Sequence, residues 1–266
     1  MSAADAELVD LATRTYVYGY PLVYNLREIA KLPEGTSSFR MPVPFDRFAP
    51  GRALAGPETK FVSPNNDTLY LLAACDVSGG PLLIGVPDTR TRYYVLQFVD
   101  AWTNNFAYVG TRATGNRAGS FVLTSPGFDG AVPADAIRID APTSVAVIVG
   151  RLAVDGEWDL REVHALQDRF TMEPLEQGGN GADLLSGIPQ PRGGIADELL
   201  WWERFRVALA AFPPPAGDAP FVEAAGRLGL TALESPFISP DPALAAALVA
   251  GAAQGAAFIE TLGRRS

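Results

Sequence analysis

Between Thr68 and Ala153 the sequence breaks into short apolar or alternating stretches, each closed by a turn signal, and nothing between them is long enough to form a helix. Leu69–Asp76 and Leu82–Val86 flank the turn Val77-Ser78-Gly79-Gly80-Pro81. Arg92–Asp100 alternates, with Tyr94, Leu96 and Phe98 on one face and Tyr93, Val95 and Gln97 on the other. Phe106–Arg112, Ser120–Thr124, Ala136–Ile139 and Ser144–Val154 complete about seven strands, linked by Gly, Pro, Asp and Asn. A parallel pair needs a crossover connection, usually a helix, and the links are too short for one. The pattern therefore predicts an α+β chain built on an antiparallel β-sandwich, jelly-roll-like, with helices before and after it.

The flanks read as helix. Ala3 to Lys31 has apolar positions at helical spacing, with Pro21 expected to end or kink it. Pro33 to Pro64 is a long loop with six prolines, of a length that commonly lines a site. Asp159 and Glu162 have capping-box spacing ahead of a helix running to about Met172. Gly178-Gly179-Asn180-Gly181 marks a loop, Ile195–Phe212 a helix stopped by Pro213-Pro214-Pro215, and Phe221–Leu228 a short helix. Asp241 as cap and Pro242 at the first helical position open a last helix that reaches about Leu262. Its small, apolar residues, with Gln254 among them, predict a buried, tightly packed helix rather than a membrane span. The organisation expected is one domain over residues 1–266: helix and long loop to 67, sandwich over 68–154, and a helical segment packed on it over 155–266.

Composition narrows the chemistry. The formal net charge of −9 is unsuited to a nucleic acid or an anionic membrane surface, so neither is expected as a partner. One cysteine, Cys75 in an apolar run, rules out an intrachain disulfide and reads as a buried thiol. One histidine, His164, cannot build a multi-histidine metal site, and it reads as a surface or interface residue. The N-terminus has no basic and apolar leader, which predicts a cytoplasmic protein. There is no P-loop, no GxGxxG after a strand, no HExxH and no EF-hand spacing, so no metal and no cofactor is expected.

Several motifs carry a family resemblance. They are Tyr16-Val17-Tyr18-Gly19-Tyr20-Pro21, Ser63-Pro64-Asn65-Asn66-Asp67-Thr68-Leu69-Tyr70, Asp76-Val77-Ser78-Gly79-Gly80-Pro81, Arg92-Tyr93-Tyr94, Asn104 to Gly110, and Gly150-Arg151. In order and spacing they resemble the bacterial domain-of-unknown-function family numbered 1254. The resemblance implies a β-sandwich flanked by helices and implies no agreed reaction. Many relatives carry an export signal and a companion domain numbered 1214, and this chain reads as a stand-alone copy. Where relatives tend to have an Asn and a nearby His, this chain has Pro44-Phe45-Asp46-Arg47-Phe48.

The residues able to carry chemistry fall around the strand ends. Asn65, Asn66, Asp67 and Thr68 make either a local side-chain turn or the polar edge of a pocket. Asp100 shares the parity of Tyr94, Leu96 and Phe98, so it is either a carboxylate at an apolar cavity or a solvated strand end. Trp102, Asn104 and Asn105 follow it. Arg112 has strand parity with an apolar face and would pair with Asp67 or Asp100, or clamp a substrate carboxylate or carbonyl. Tyr18, Tyr20, Tyr70 and Tyr94 form either core or a pocket wall.

The expected site takes Asp67 and Asp100 as acid–base groups with Tyr70 and Tyr94. Asn65, Asn66, Thr68, Trp102, Asn104 and Arg112 would hold a small, largely apolar organic molecule. That describes a cofactor-independent isomerase or cyclase, lyase or hydrolase, in specialised metabolism. The alternative is a non-catalytic small-molecule-binding or assembly module. The partner expected is a small-molecule ligand, with a homo-oligomer left open.

Overall fold

The computed structural model describes residues 3–56, 65–175 and 187–263. Ser63, Pro64 and the Gly178–Gly181 loop signal lie outside them. The described elements run α1 (Ala3–Ala30), β1 (Ala49–Pro50), β2 (Thr68–Asp76), β3 (Leu82–Val86), β4 (Tyr94–Asp100), β5 (Asn105–Gly110), β6 (Gly119–Thr124), β7 (Ala136–Asp140) and β8 (Val145–Ala153). There follow α2 (Leu160–Gln167), β9 (Thr171–Pro174), α3 (Leu200–Ala211), α4 (Ala219–Gly226) and α5 (Pro242–Gly263). The class is α+β, with two sheets lying between N-terminal and C-terminal helices in the sequence. Two compact units are resolved: Arg27–Gly187, which holds the sheets, and Met1–Leu26 with Ile188–Ser266, which is helical.

In the sheet unit, β1-β2-β8-β4-β5 form a five-stranded sheet and β7-β6-β3-β9 a four-stranded one. The first is antiparallel throughout. In the second, β6 and β7 pair in parallel, a departure from the all-antiparallel expectation. The 11-residue link from Ser125 to Asp135 is long enough to return the chain to the same end of the sheet. Each sheet sends alternate residues into one shared core, including Leu69 and Leu71 from β2, Ile84 from β3, Leu96 and Phe98 from β4, and Phe121 from β6. The alternation read from Arg92–Asp100 is matched residue for residue: Tyr94, Leu96, Phe98 and Asp100 are buried, and the residues between them are half-buried.

Two boundaries differ from expectation. The helix α2 ends at Gln167, and Thr171–Pro174 becomes a strand on β3. Asp159 does not cap α2 with its side chain. Its carboxylate, only 1% exposed, is gripped by Arg92, with Nη1 donating to Oδ2 at 2.5 Å and Nη2 to Oδ1 at 2.7 Å. Arg92 also donates to the Ala153 carbonyl at 2.8 Å, and the Asp155 N–H donates to Asp159 at 3.0 Å. These bonds hold Asp159 below the ordinary carboxylate range and tie β4 and β8 to the start of α2.

The Pro33–Pro64 tract is a strap that follows β2. Phe45 bridges Ala74, and Ala49 and Pro50 pair with Leu72 and Leu71. Asp46, at φ 55°, donates its N–H to the Ala74 carbonyl and accepts from the Asp76 N–H at 2.9 Å. Burial, with the Asp76 carboxylate beside it, pushes the Asp46 carboxyl up to about 6.

In the helical unit, Pro21 sits inside α1 without ending it. α5 packs closely on α1: a Cβ at Gly251 would lie 2.4 Å from that of Ala12, and one at Gly255 would strike the Tyr16 ring. Trp202 on α3 donates its indole N–H to the Leu248 carbonyl at 3.2 Å. Asp241 caps α5 as expected, accepting from the Ala243 and Leu244 N–H groups. α5 is the one helix among the described residues long and apolar enough to cross a membrane. Burial is confined to Ala247, Leu248, Gly251 and Gly255, while Val249 and Phe258 are exposed, so α5 is less enclosed than its composition predicts. Cys75 is buried, and burial pushes its thiol up.

Two stability measurements test these contacts. Removing one partner of a buried ion pair strands the other charge, so Arg92→Ala is expected to cost about 3–5 kcal/mol in urea unfolding; a loss under 1 kcal/mol would show Asp159 to be solvated. An Asp46 carboxyl titrating at about 6 when folded and near 3.9 unfolded adds stability below pH 4 that is lost as pH rises through 6. Asp46→Asn keeps the acceptor and suits positive φ. It is expected to equal wild type at pH 4 and exceed it by about 1–2 kcal/mol at pH 8, the partly solvated carboxyl giving less than full linkage. Parallel pH profiles for the two proteins would contradict this.

Candidate functional site

The residues expected to converge are divided between opposite ends of the five-stranded sheet. Asp100 closes the β4–β5 turn, accepting from the Asn104 N–H at 2.8 Å and its side-chain amide at 3.3 Å. Arg112 follows the other end of β5, where the Thr111 N–H donates to the Tyr94 carbonyl. The length of β4 separates them, about 20 Å at ~3.3 Å per residue. Arg112 lies over the Tyr93 ring, 5.6 Å from its centroid, and pairs with neither Asp67 nor Asp100. Asp67 is exposed, with its carbonyl accepting from Val154 at the end of the sheet away from Asp100.

Asn65 makes the local turn: its Oδ1 accepts from the Asp67 N–H, the Thr68 N–H and the Thr68 hydroxyl, each at 3.0 Å. Asn66 is exposed, Thr68 is buried, and Trp102 is half-buried in the β4–β5 turn. Tyr94 is 1% exposed in the core, edge-on to Phe170, with its hydroxyl on the Gly115 carbonyl; burial raises its pKa. Tyr18, in the helical unit, bonds Asp218 instead. Of the expected site residues, Tyr70 lines one cavity, of about 320 Å³, and Tyr94 and Arg112 line a second, of about 340 Å³.

The cavity of about 320 Å³ lies on the outer face of the five-stranded sheet. Its floor is Tyr70 and Leu72 of β2, Val149 and Arg151 of β8, and Gln97 of β4, all at the parity opposite the shared core. Its other wall is the strap, through Ser38, Phe39, Met41, Ala53, Leu54 and Ala55. A second hollow of about 340 Å³ lies beside it, lined by Tyr93, Val95, Tyr108 and Arg112.

The polar residues of the floor form one row across four strands. Arg151 pairs with Tyr70 across β8 and β2, and its guanidinium lies 5.5 Å from the Tyr70 ring centroid. Arg151 Nη1 donates to Gln97 Oε1 at 3.0 Å, and Gln97 Nε2 donates to Asn105 Oδ1 at 2.7 Å. Among the described residues no carboxylate lies within ion-pair distance of Arg151. Among the described residues the lining holds no carboxylate, imidazole or thiol, and there is no cluster of His, Cys, Asp or Glu able to hold a metal.

The strap is held over the floor by α2. Gln167, 2% exposed, donates to the Gly51 carbonyl at 3.1 Å and the Tyr70 carbonyl at 2.9 Å, and accepts from Arg52 at 3.1 Å. His164 bonds the Arg52 carbonyl at 2.9 Å, Arg52 returns a bond to the His164 carbonyl at 3.0 Å, and Arg52 also pairs with Asp168. The lone histidine is thus part of a clamp on the strap. The sequence pattern places Gln97 on the face opposite Tyr94, Leu96 and Phe98, and it does not single out Gln97 or Arg151 as a site residue. The available signal was that both occupy outer-face positions, with a long loop beside them in need of a surface to cover.

Gln167→Ala removes both donors from the clamp. It is expected to cost about 1–3 kcal/mol and to speed amide hydrogen exchange across Ala49–Leu54 more than in β4. Unchanged exchange in the strap would mean the β1–β2 pairing suffices.

Residues 45–174 match the family model described as Protein of unknown function (DUF1254). No curated protein matches the chain significantly. Among solved structures, the VPA0106 protein of Vibrio parahaemolyticus superposes with a TM-score of 0.73 at 21% identity, over 97% of this chain. The chain spans 60% of that protein's length, and the likeness is one of fold. An uncharacterized protein from Burkholderia cenocepacia aligns with a TM-score of 0.33 at 11% identity, over 77% of this chain and 55% of that one.

Proposed function

We propose that this chain, whose segment 45–174 belongs to the DUF1254 family, is a small-molecule-binding protein that takes a largely apolar organic ligand between the strap and the outer face of the five-stranded sheet. The reading rests on one observation. A cavity of about 320 Å³ is walled by Phe39, Met41, Leu54, Leu72 and Val149, with Tyr70, Gln97 and Arg151 grouped at one place on its floor. A mostly apolar hollow with a few convergent polar groups is the usual form of a small-molecule site. The shared core of the two sheets supports reading them as a face-to-face, jelly-roll-like sandwich that presents this outer face as a rigid platform.

Binding is favoured over acid–base catalysis because Asp67 and Asp100, the carboxylates best suited to it by sequence, lie away from the cavity, and its described lining residues supply no other. Turnover on this floor would depend on Tyr70, the one phenol among the described lining residues.

Nile red, a neutral apolar dye, serves as the probe. Wild type is expected to enhance its fluorescence saturably at one site. Leu54→Trp and Val149→Trp, which fill the cavity from its two walls, should abolish the enhancement while keeping the wild-type melting temperature. Undiminished enhancement in both folded variants would place the dye elsewhere and remove support for this reading.

A further inference from the structure

We infer that the ligand of this cavity carries a carboxylate, held by Arg151 with Gln97 and Tyr70, and directs its apolar body toward Leu54, Met41 and Phe39. This rests on the cavity being a ligand site and adds the chemical class.

A guanidinium has five N–H donors in a planar fork, remains charged at any physiological pH, and is weakly hydrated enough to suit interior and interface ion pairs. Arg151 is half-buried on a central strand, between β2 and β4. Among the described residues its polar and ring contacts are one neutral acceptor, Gln97 Oε1, and one aromatic face, Tyr70. Arg92, the other arginine with a largely enclosed side chain in this unit's ion pairs, meets Asp159 bidentately. Arg151 has no carboxylate within ion-pair distance among the described residues, and it lines a cavity able to admit one.

Its orientation is fixed before any ligand arrives. Gln97 is itself held by Asn105, and the Tyr70 carbonyl by Gln167, so the side chains beside the guanidinium are braced from behind. A planar fork held in place matches the two oxygens of a carboxylate in parallel hydrogen bonds. The Tyr70 hydroxyl, in the same lining, adds a neutral donor. The chain's net charge of −9 disfavours a polyanion, and one guanidinium balances one negative charge. The remaining wall is aliphatic and aromatic, which calls for a hydrocarbon body.

The test compares octanoate with octanamide, which share length and shape and differ in charge. Isothermal titration at pH 7 is expected to show octanoate bound about ten- to a hundred-fold more tightly by wild type, the range for a hydrogen bond to a charged group. Arg151→Gln should erase that preference while still binding octanamide and enhancing Nile red. Arg151→Lys should keep part of it, since charge survives and the fork does not. Equal affinities in wild type, or a preference that survives in Arg151→Gln, would overturn the carboxylate assignment and leave the cavity as an apolar site. Failure of both octanoate and octanamide to displace Nile red, with Leu54→Trp still enhancing the dye, would overturn both the assignment and the binding reading.

Discussion

The buried pair between Arg92 and Asp159 is the contact from which the candidate site hangs. It joins the residues just before β4 and just before α2 through two hydrogen bonds, and Arg92 reaches the Ala153 carbonyl at the end of β8 as well. α2 therefore starts from a fixed point on the five-stranded sheet. Two turns along α2, His164 and Gln167 project toward β2 and take hold of Gly51 and Arg52. The strap those residues belong to is what turns an open sheet face into a cavity. A chain of polar contacts thus runs from an ion pair at one edge of the core to the wall of a pocket on the other side of the sheet. The pair contributes position more than stability, since a buried ion pair recovers little beyond its own desolvation.

The strand pattern was the most legible part of the sequence, for a physical reason. Side chains alternate strictly across a sheet, so Tyr94, Leu96 and Phe98 declare their common face without any knowledge of their partners. Seven strands between Thr68 and Ala153 were readable on that basis. What alternation cannot encode is pairing. The parallel contact of β6 with β7 depends on where a connection lands, and the short strand Thr171–Pro174 is too polar at Glu173 and too brief to stand out from the helix before it. Capping signals divided the same way. Asp241 has no rival partner and caps α5, whereas Asp159 meets an arginine 67 positions away, and a bidentate ion pair outcompetes a backbone N–H.

The site was less legible than the fold because the expected one was built from chain proximity to strand ends. Asp100 and Arg112 flank the single strand β5, and an extended strand holds the residues before and after it at its opposite ends. Asp100 is buried, as its parity required, but it serves the turn that begins at its own carbonyl. The residues that do assemble, Gln97 and Arg151, are neighbours across two strands joined through 44 intervening residues, a relation set by register alone. A long proline-rich loop was the better indicator, since a loop of that length must lie on something.

The strap's path has a consequence for the solubility of the sheet. β2 would otherwise be an outer strand with a free row of amides, able to recruit a strand from another molecule. The strap occupies that row at Phe45, Ala49 and Pro50. Pro50, which has no N–H, then offers the next strand one donor fewer than any other residue would. The segment that walls the cavity is therefore also the guard against edge-to-edge aggregation. Any opening wide enough to lift the strap off β2 would expose a template for assembly. A strap that stays paired with β2 can still shift at Ser38–Met41 or Ala53–Ala55, the parts of it that face the cavity outside the β1–β2 pairing.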